Sequence, residues 1–147
     1  MKKHKIAFLD RDGVINKNYI NGGYIGKIND FKFVDGALDA ICLLKEIGFK
    51  VVVVSNQSGI ARGYFKHRDV YNLHNYVQKK LKKMKKKIDA FYFCPYHEDG
   101  VIKKYKKKSE LRKPKIGMFK LAKKRFKINV EKSFMIGDQT SDKLFAK

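Results

Sequence analysis

Two short apolar runs constrain this chain more than anything else in it. Ile6-Ala7-Phe8-Leu9 and Val51-Val52-Val53-Val54 are continuous rather than alternating, and each stops abruptly in polar residues, Asp10 after the first and Ser55-Asn56 after the second. Runs of this kind suit strands covered on both faces, the condition of a parallel sheet, with each stop marking its carboxyl edge. Between them, Leu38, Ile41, Leu44 and Ile47 recur at helical spacing and Gly48 supplies a stop, so the two runs and the helix make a βαβ unit. A long loop rich in Asn and Gly, residues 16–30, separates the first strand from that helix.

The pattern then repeats. Val70, Leu73, Val77, Leu81 and Met84 predict a second helix over His67–Lys86 with Met84 in the core. Ala90–Phe93 reads as a third strand, Met118–Phe126 as a third helix, and Ser133–Ile136 as a fourth strand ending at Gly137-Asp138. The expected fold class is α/β, a Rossmann-like parallel sheet with helices on both faces and function at the carboxyl ends of its strands. Residues 1–147 read as one domain. A doubly wound sheet ordinarily continues past Asp142, so the expectation is a fold lacking its last strand, with strand four left as an edge.

Composition removes several alternatives. A content of 44% hydrophobic residues is enough to fill a core and excludes wholesale disorder. No apolar run approaches the roughly 20 residues a membrane helix needs, and the apolar stretch after Met1-Lys2-Lys3-His4-Lys5 is too short for a signal peptide. With only Cys42 and Cys94, no disulfide framework is expected, which fits a cytoplasmic chain. The 35 Lys and Arg against 14 Asp and Glu give a formal charge of +21. Nearly all of that excess is Lys, in a chain also rich in Ile, Asn, Phe and Tyr, which reads as a compositional drift rather than a nucleic-acid signature. Two clusters, 79–87 and 103–108, stand out, but neither contains an Arg fork, so no nucleic-acid partner is expected. The field would still draw in small anions.

The chemistry lies in the acids. Asp10 and Asp12 stand two apart immediately beyond a buried strand, with Gly13 beside them to let the backbone turn. Converging carboxylates need a cation or a shared proton, and Mg²⁺ suits oxygen donors that also face a phosphate. Asp138 reaches the same edge from strand four. Three carboxylates, Lys113 and the Ser55 hydroxyl around one point supply what phosphoryl transfer asks for: a nucleophile, an acid, a metal and positive charge on the equatorial oxygens.

The residues Phe8-Leu9-Asp10-Arg11-Asp12-Gly13-Val14-Ile15-Asn16, Ser55 through Gly63, Cys94-Pro95, Arg112-Lys113-Pro114 and Met135-Ile136-Gly137-Asp138 resemble, in order, the four motifs of the haloacid dehalogenase-like phosphatases. Within that superfamily the chain most resembles the D-glycero-D-manno-heptose 1,7-bisphosphate 7-phosphatases, with the histidinol-phosphate phosphatases as near relatives. The resemblance implies that Asp10 is the nucleophile and Asp12 the acid and base. Ser55 and Lys113 would hold the phosphoryl group. Mg²⁺ would sit on the Asp10 carboxylate, the Asp12 carbonyl and the Asp138 carboxylate, while Gly23, Tyr24, Asn56, Gln57, Ser58 and Arg112 would contact substrate. It also implies a small sugar-phosphate substrate and a role in heptose supply for surface polysaccharide; the chain is expected to be a monomer. Asp142 is expected as a helix-start or supporting carboxylate rather than a metal ligand.

Two positions depart from that pattern. Where the family carries a structural zinc on Cys-x-His and Cys-x-Cys, this chain keeps Cys94 but has Tyr96, Ser109 and Leu111, so no structural zinc is expected and residues 98–110 should be mobile. Gln139 replaces a family Lys, removing a potential phosphate contact. The alternatives are a histidinol-phosphate phosphatase, a polynucleotide 3'-phosphatase and a polyanion-binding scaffold without catalysis; intact Asp10, Asp12, Lys113 and Asp138 speak against the last.

Overall fold

The computed structural model describes residues 3–18, 24–137 and 140–146. Its strands are β1 (Ile6–Leu9), β2 (Lys50–Asn56), β3 (Ala90–Cys94) and β4 (Phe134–Ile136), in the order β3-β2-β1-β4. Every neighbouring pair is parallel, with Ala7 opposite both Val51 and Phe134. All four carboxyl ends therefore open on one edge.

The continuous apolar runs are explained by the layers. Ala7, Leu9, Val51 and Val53 face Ile41 of helix α1 (Ala37–Glu46) and Leu73, Val77 and Leu81 of helix α2 (His67–Lys82). Ile6, Phe8, Val52 and Val54 face Met118 and Ala122 of α3 (Gly117–Arg125) and Phe145 of α4 (Thr140–Phe145). Both parities of the sequence are thus buried, and each valine of β2 contributes about 2 kcal/mol of transfer free energy. β4 is an edge strand among the described residues, with Phe134 half-covered by the Phe49 ring at 5.1 Å between centroids.

The second helix is shorter than its periodicity suggests. It begins where the Asp69 carboxylate accepts the Lys66 backbone N–H at 2.7 Å and it ends at Lys82 rather than Lys86. Lys85 adopts a φ of 58°, and the Gln78 amide captures the Ile88 backbone at both its N–H (2.9 Å) and its carbonyl (2.8 Å). These contacts turn the chain into β3 one turn early. Met84 is consequently left exposed, with its sulfur 3.9 Å from Cys42, and is not the core contact that spacing alone predicts.

Candidate active site

Beyond β1 the chain makes a tight turn on the Arg11 carbonyl, which accepts the N–H groups of Val14, Ile15 and Asn16. Gly13 sits in that turn at a φ of 87°, where a side chain would be strained. Asp10 is tied to the end of β4 through its N–H to the Ile136 carbonyl at 2.9 Å, and its carboxylate accepts the Arg11 N–H at 2.8 Å. Burial raises the Asp10 pKa to about 7; Lys113 opposes that rise, while Asp142 and Asp12 add to it.

Lys113 answers this cost. Its Nζ lies 3.3 Å from Asp10, donates to the Val54 carbonyl at 2.9 Å and pairs with Asp142. All three side chains are closed to water, at 7% exposure for Asp10, 3% for Lys113 and 2% for Asp142. The loop bearing Lys113 is clamped by Asn56, whose amide donates to the Lys113 carbonyl (3.2 Å) and accepts its N–H (2.9 Å). Asn56, expected to face substrate, instead spends its side chain on this clamp.

Asp12 is differently housed. Its carboxylate pairs with the fully buried Arg11 guanidinium and accepts from Asn16 and Gln57. Gln57 also donates to Ser55 Oγ at 2.7 Å, so Ser55, Gln57 and Asp12 form one chain of hydrogen bonds.

The rim carries the other expected contacts. Tyr24 packs on Tyr64 at 4.9 Å between centroids, and the Arg62 guanidinium lies over the Tyr24 ring at 5.7 Å. The Arg62 side chain reaches Ser58 Oγ at 3.5 Å. Phe65 holds this corner together: it packs so closely between Gly26 and Gly59 that a Cβ on either would overlap its ring. Arg112 is half-buried with Nη1 unpartnered among the described residues; burial lowers its pKa, and Arg62 adds to the fall. Gly23, Asp138 and Gln139 lie outside the described residues.

The stretch expected to be mobile is docked onto the β2 turn. The N–H groups of Val101 and Ile102 both donate to the Ala61 carbonyl, His97 N–H donates to the Tyr105 carbonyl, and the Tyr105 hydroxyl meets His67 Nδ1 at 2.9 Å. Aromatic contacts thus fasten the loop, with Tyr96 and Tyr105 at 6.0 Å between centroids and Lys107 over the Tyr96 ring. Cys94 is a buried thiol, its pKa pushed up by burial, that donates to the Tyr96 carbonyl.

Spacing and resemblance did not mark Arg11 or Arg62, nor Asp142 as a partner of Lys113. Their signal in the sequence was faint: Arg11 stands between Asp10 and Asp12, Arg62 near the end of the second motif and Asp142 beyond the fourth, and only the fold shows what each side chain touches. A divalent cation fits the donor set. The buried Asp10 carboxylate calls for positive charge, and among the described residues no backbone donor takes the Asp12 carbonyl beside it. Hard oxygen donors of this kind suit Mg²⁺.

A parallel sheet with two aspartates two residues apart beyond its central strand, and a buried lysine against the first of them, defines a phosphatase of the haloacid dehalogenase type. A family model described as polynucleotide kinase 3 phosphatase matches residues 5–146. The D-glycero-beta-D-manno-heptose-1,7-bisphosphate 7-phosphatase of Haemophilus influenzae is 42% identical over 139 residues, covering 95% of this chain and 73% of that protein. A HAD-like structure from Mesorhizobium loti superposes with a TM-score of 0.86 at 33% identity, covering 98% of this chain and 68% of that one. A D,D-heptose 1,7-bisphosphate phosphatase from B. bronchiseptica, complexed with magnesium and phosphate, superposes with a TM-score of 0.80 at 29% identity over 94% and 72% of the two chains. The chain belongs to this phosphatase family.

Proposed function

We propose that the chain is a Mg²⁺-dependent phosphatase that removes the 7-phosphate of D-glycero-D-manno-heptose 1,7-bisphosphate, supplying heptose for surface polysaccharide. The observation that carries the reading is the buried Asp10–Lys113–Asp142 cluster beside the Ser55–Gln57–Asp12 chain. Together they place a carboxylate, a cation, a hydroxyl and a second carboxylate at one edge.

Asp10 attacks phosphorus and forms an aspartyl-phosphate, while Asp12 delivers a proton to the departing sugar oxygen and later takes one from the hydrolytic water. Lys113 and the Ser55 hydroxyl hold the equatorial oxygens. Asp10, the Asp12 carbonyl and Asp138 would hold Mg²⁺, which supplies charge to the transferring group. Tyr24, Ser58 and Arg112 would orient the sugar, and the resemblance assigns Gly23 the same role. No structural zinc is needed in this reading, because aromatic packing and the Ala61 carbonyl hold the loop that zinc holds elsewhere; metal analysis of protein purified without chelator should find no stoichiometric zinc.

A polynucleotide 3'-phosphatase is the second reading, favoured by the description of the matching family and by exposed Lys103–Lys108 at the site edge. Phosphate release should be measured with and without Mg²⁺ from heptose bisphosphate, histidinol phosphate and a 3'-phosphorylated oligonucleotide, with Asp10→Asn as control. Mg²⁺-dependent release fastest from the heptose bisphosphate is expected. Faster release from the oligonucleotide would replace the first reading with the second, and no release from any would sink both.

A further inference from the structure

The Asp12 carboxylate is held at both oxygens, but unequally. Oδ1 accepts three hydrogen bonds, from Arg11 Nε at 3.1 Å, Arg11 Nη2 at 2.7 Å and Asn16 Nδ2 at 2.9 Å. Oδ2 accepts one among the described residues, from Gln57 Nε2 at 2.9 Å. An oxygen already taking three donors has no lone pair left for a reacting proton, so Oδ2 is the oxygen with capacity to spare.

Gln57 is only 3% exposed, so it cannot serve as the substrate contact expected of it without leaving its place. Its orientation is set by chemistry. In the ionised state that follows proton delivery Asp12 only accepts, so the amide atom facing it is then the nitrogen. That nitrogen carries two hydrogens, and the second points to Ser55 Oγ at 2.7 Å. Ser55 therefore accepts from Gln57, and its own O–H meets only the Asn56 carbonyl among the described residues, at a long 3.5 Å that a phosphoryl oxygen can displace.

We propose that Gln57 is a positioning residue acting through both neighbours: it fixes Asp12 Oδ2 as the proton-carrying oxygen and turns the Ser55 hydroxyl into a donor toward the phosphoryl group. The inference rests on the roles of Asp12 and Ser55 in the proposed function. In the first half-reaction the bond from Asp10 to phosphorus forms and the bond from phosphorus to the leaving oxygen breaks. The proton on Oδ2 passes to that oxygen, and the carboxylate left behind gains a charge-assisted hydrogen bond from Gln57. In the second half, water attacks phosphorus, its proton goes to Oδ2, and the Asp10 carboxylate is released.

The two arms of the amide have separable effects. Loss of the Ser55 arm weakens every phosphate ester alike, whereas loss of the Asp12 arm matters only where the leaving oxygen needs a proton. Gln57→Met keeps the shape and removes both donors, and kcat/KM reports the first half-reaction. The variant should lose about 100-fold on β-glycerophosphate and about tenfold on p-nitrophenyl phosphate, whose phenolate leaves unaided. Equal losses on the two esters, or a rise in KM at unchanged kcat, would overturn the assignment. A wild type with no Mg²⁺-dependent release from heptose bisphosphate or from either ester would overturn the proposed function and this inference with it. Should the variant fail to fold, amide exchange in the wild type decides: both Gln57 side-chain protons should be protected from solvent, with or without substrate, and fast exchange of either rules the arrangement out.

Discussion

Charge does different work at the two ends of this molecule. At the carboxyl edge of the sheet, Asp10, Lys113 and Asp142 share a volume closed to water. At the far end of α2, the lysines between 79 and 87 stand mostly in solvent, and Lys86 lies 3.9 Å from an exposed Glu46. The same Coulomb interaction at 4 Å is worth about 1 kcal/mol in water and about 4 kcal/mol near a protein interior. A few buried charges, these three and the Arg11 guanidinium, therefore govern the electrostatics of the site, while a far larger number of lysines adds a diffuse field. Net charge describes the second region and says almost nothing of the first.

The sharpest way to break this contrast is to remove the buried cation. Lys113→Met leaves two buried carboxylates without their partner, which should cost about 3–5 kcal/mol of stability in denaturant unfolding and phosphatase activity by about a thousandfold. Adding Asp142→Asn should return part of the stability and none of the activity, because it removes the second uncompensated carboxylate but restores no cation beside Asp10. A double variant no more stable than the single one would show that the cluster is not coupled.

Burial without a partner gives the next largest effect. His74 lies against Phe91 at 4.3 Å between ring centroids, and among the described residues neither ring nitrogen has a hydrogen-bond partner. Burial lowers its pKa to about 3, with the nearby Arg11 adding to the fall. The unfolded chain takes up a proton near pH 6.5 while the native state refuses it, so stability is complete above that pH and is lost as pH falls from about 6.5 toward 3. By pH 5 the loss should reach about 2 kcal/mol. His74→Phe should flatten this part of the stability profile, and an unchanged slope would assign the acid sensitivity to other groups.

How much of this was legible in the sequence follows from the range of each interaction. The strands and their order along the chain could be read because Val51–Val54 and Ile6–Leu9 carry their burial in their own composition. Asp10, Asp12 and Lys113 could be placed at one edge because they stand directly beyond strands or inside a recognisable motif. The partners of those residues could not. Asp142 meets Lys113 across 29 positions, and Asn56 clamps it across 57, distances over which no periodicity speaks. The resemblance assigned Asn56 and Gln57 to substrate; the structure shows the Asn56 amide bonded to the Lys113 backbone and the Gln57 amide to Asp12 and Ser55, contacts a motif does not reveal. The end of α2 failed for a local reason, because the Gln78 side chain competes with the helix for the Ile88 backbone. Arginine offered one unused clue. Against a background that favours Lys, three of the few arginines, Arg11, Arg62 and Arg112, stand at the site, where a planar fork is not replaceable by an ammonium.

The smallest effects belong to the lysine clusters, and they test whether position or number matters. Lys103–Lys108 rides on the loop fixed to the Ala61 carbonyl, beside the site, whereas Lys79–Lys87 lies where α2 reaches the opposite edge of the sheet. Replacing each set with Gln should leave stability within about 0.5 kcal/mol per residue, since exposed charges contribute little. Neutralising 103–108 should lower kcat/KM for an anionic substrate by about threefold at low ionic strength and by less at 0.15 M salt, where the Debye length falls to about 8 Å. Neutralising 79–87 should change kcat/KM by less than about 1.5-fold under either condition, because the sheet and its helices stand between those lysines and the site. Equal losses from both sets would mean that the field of the whole molecule, not its local placement, guides the substrate in.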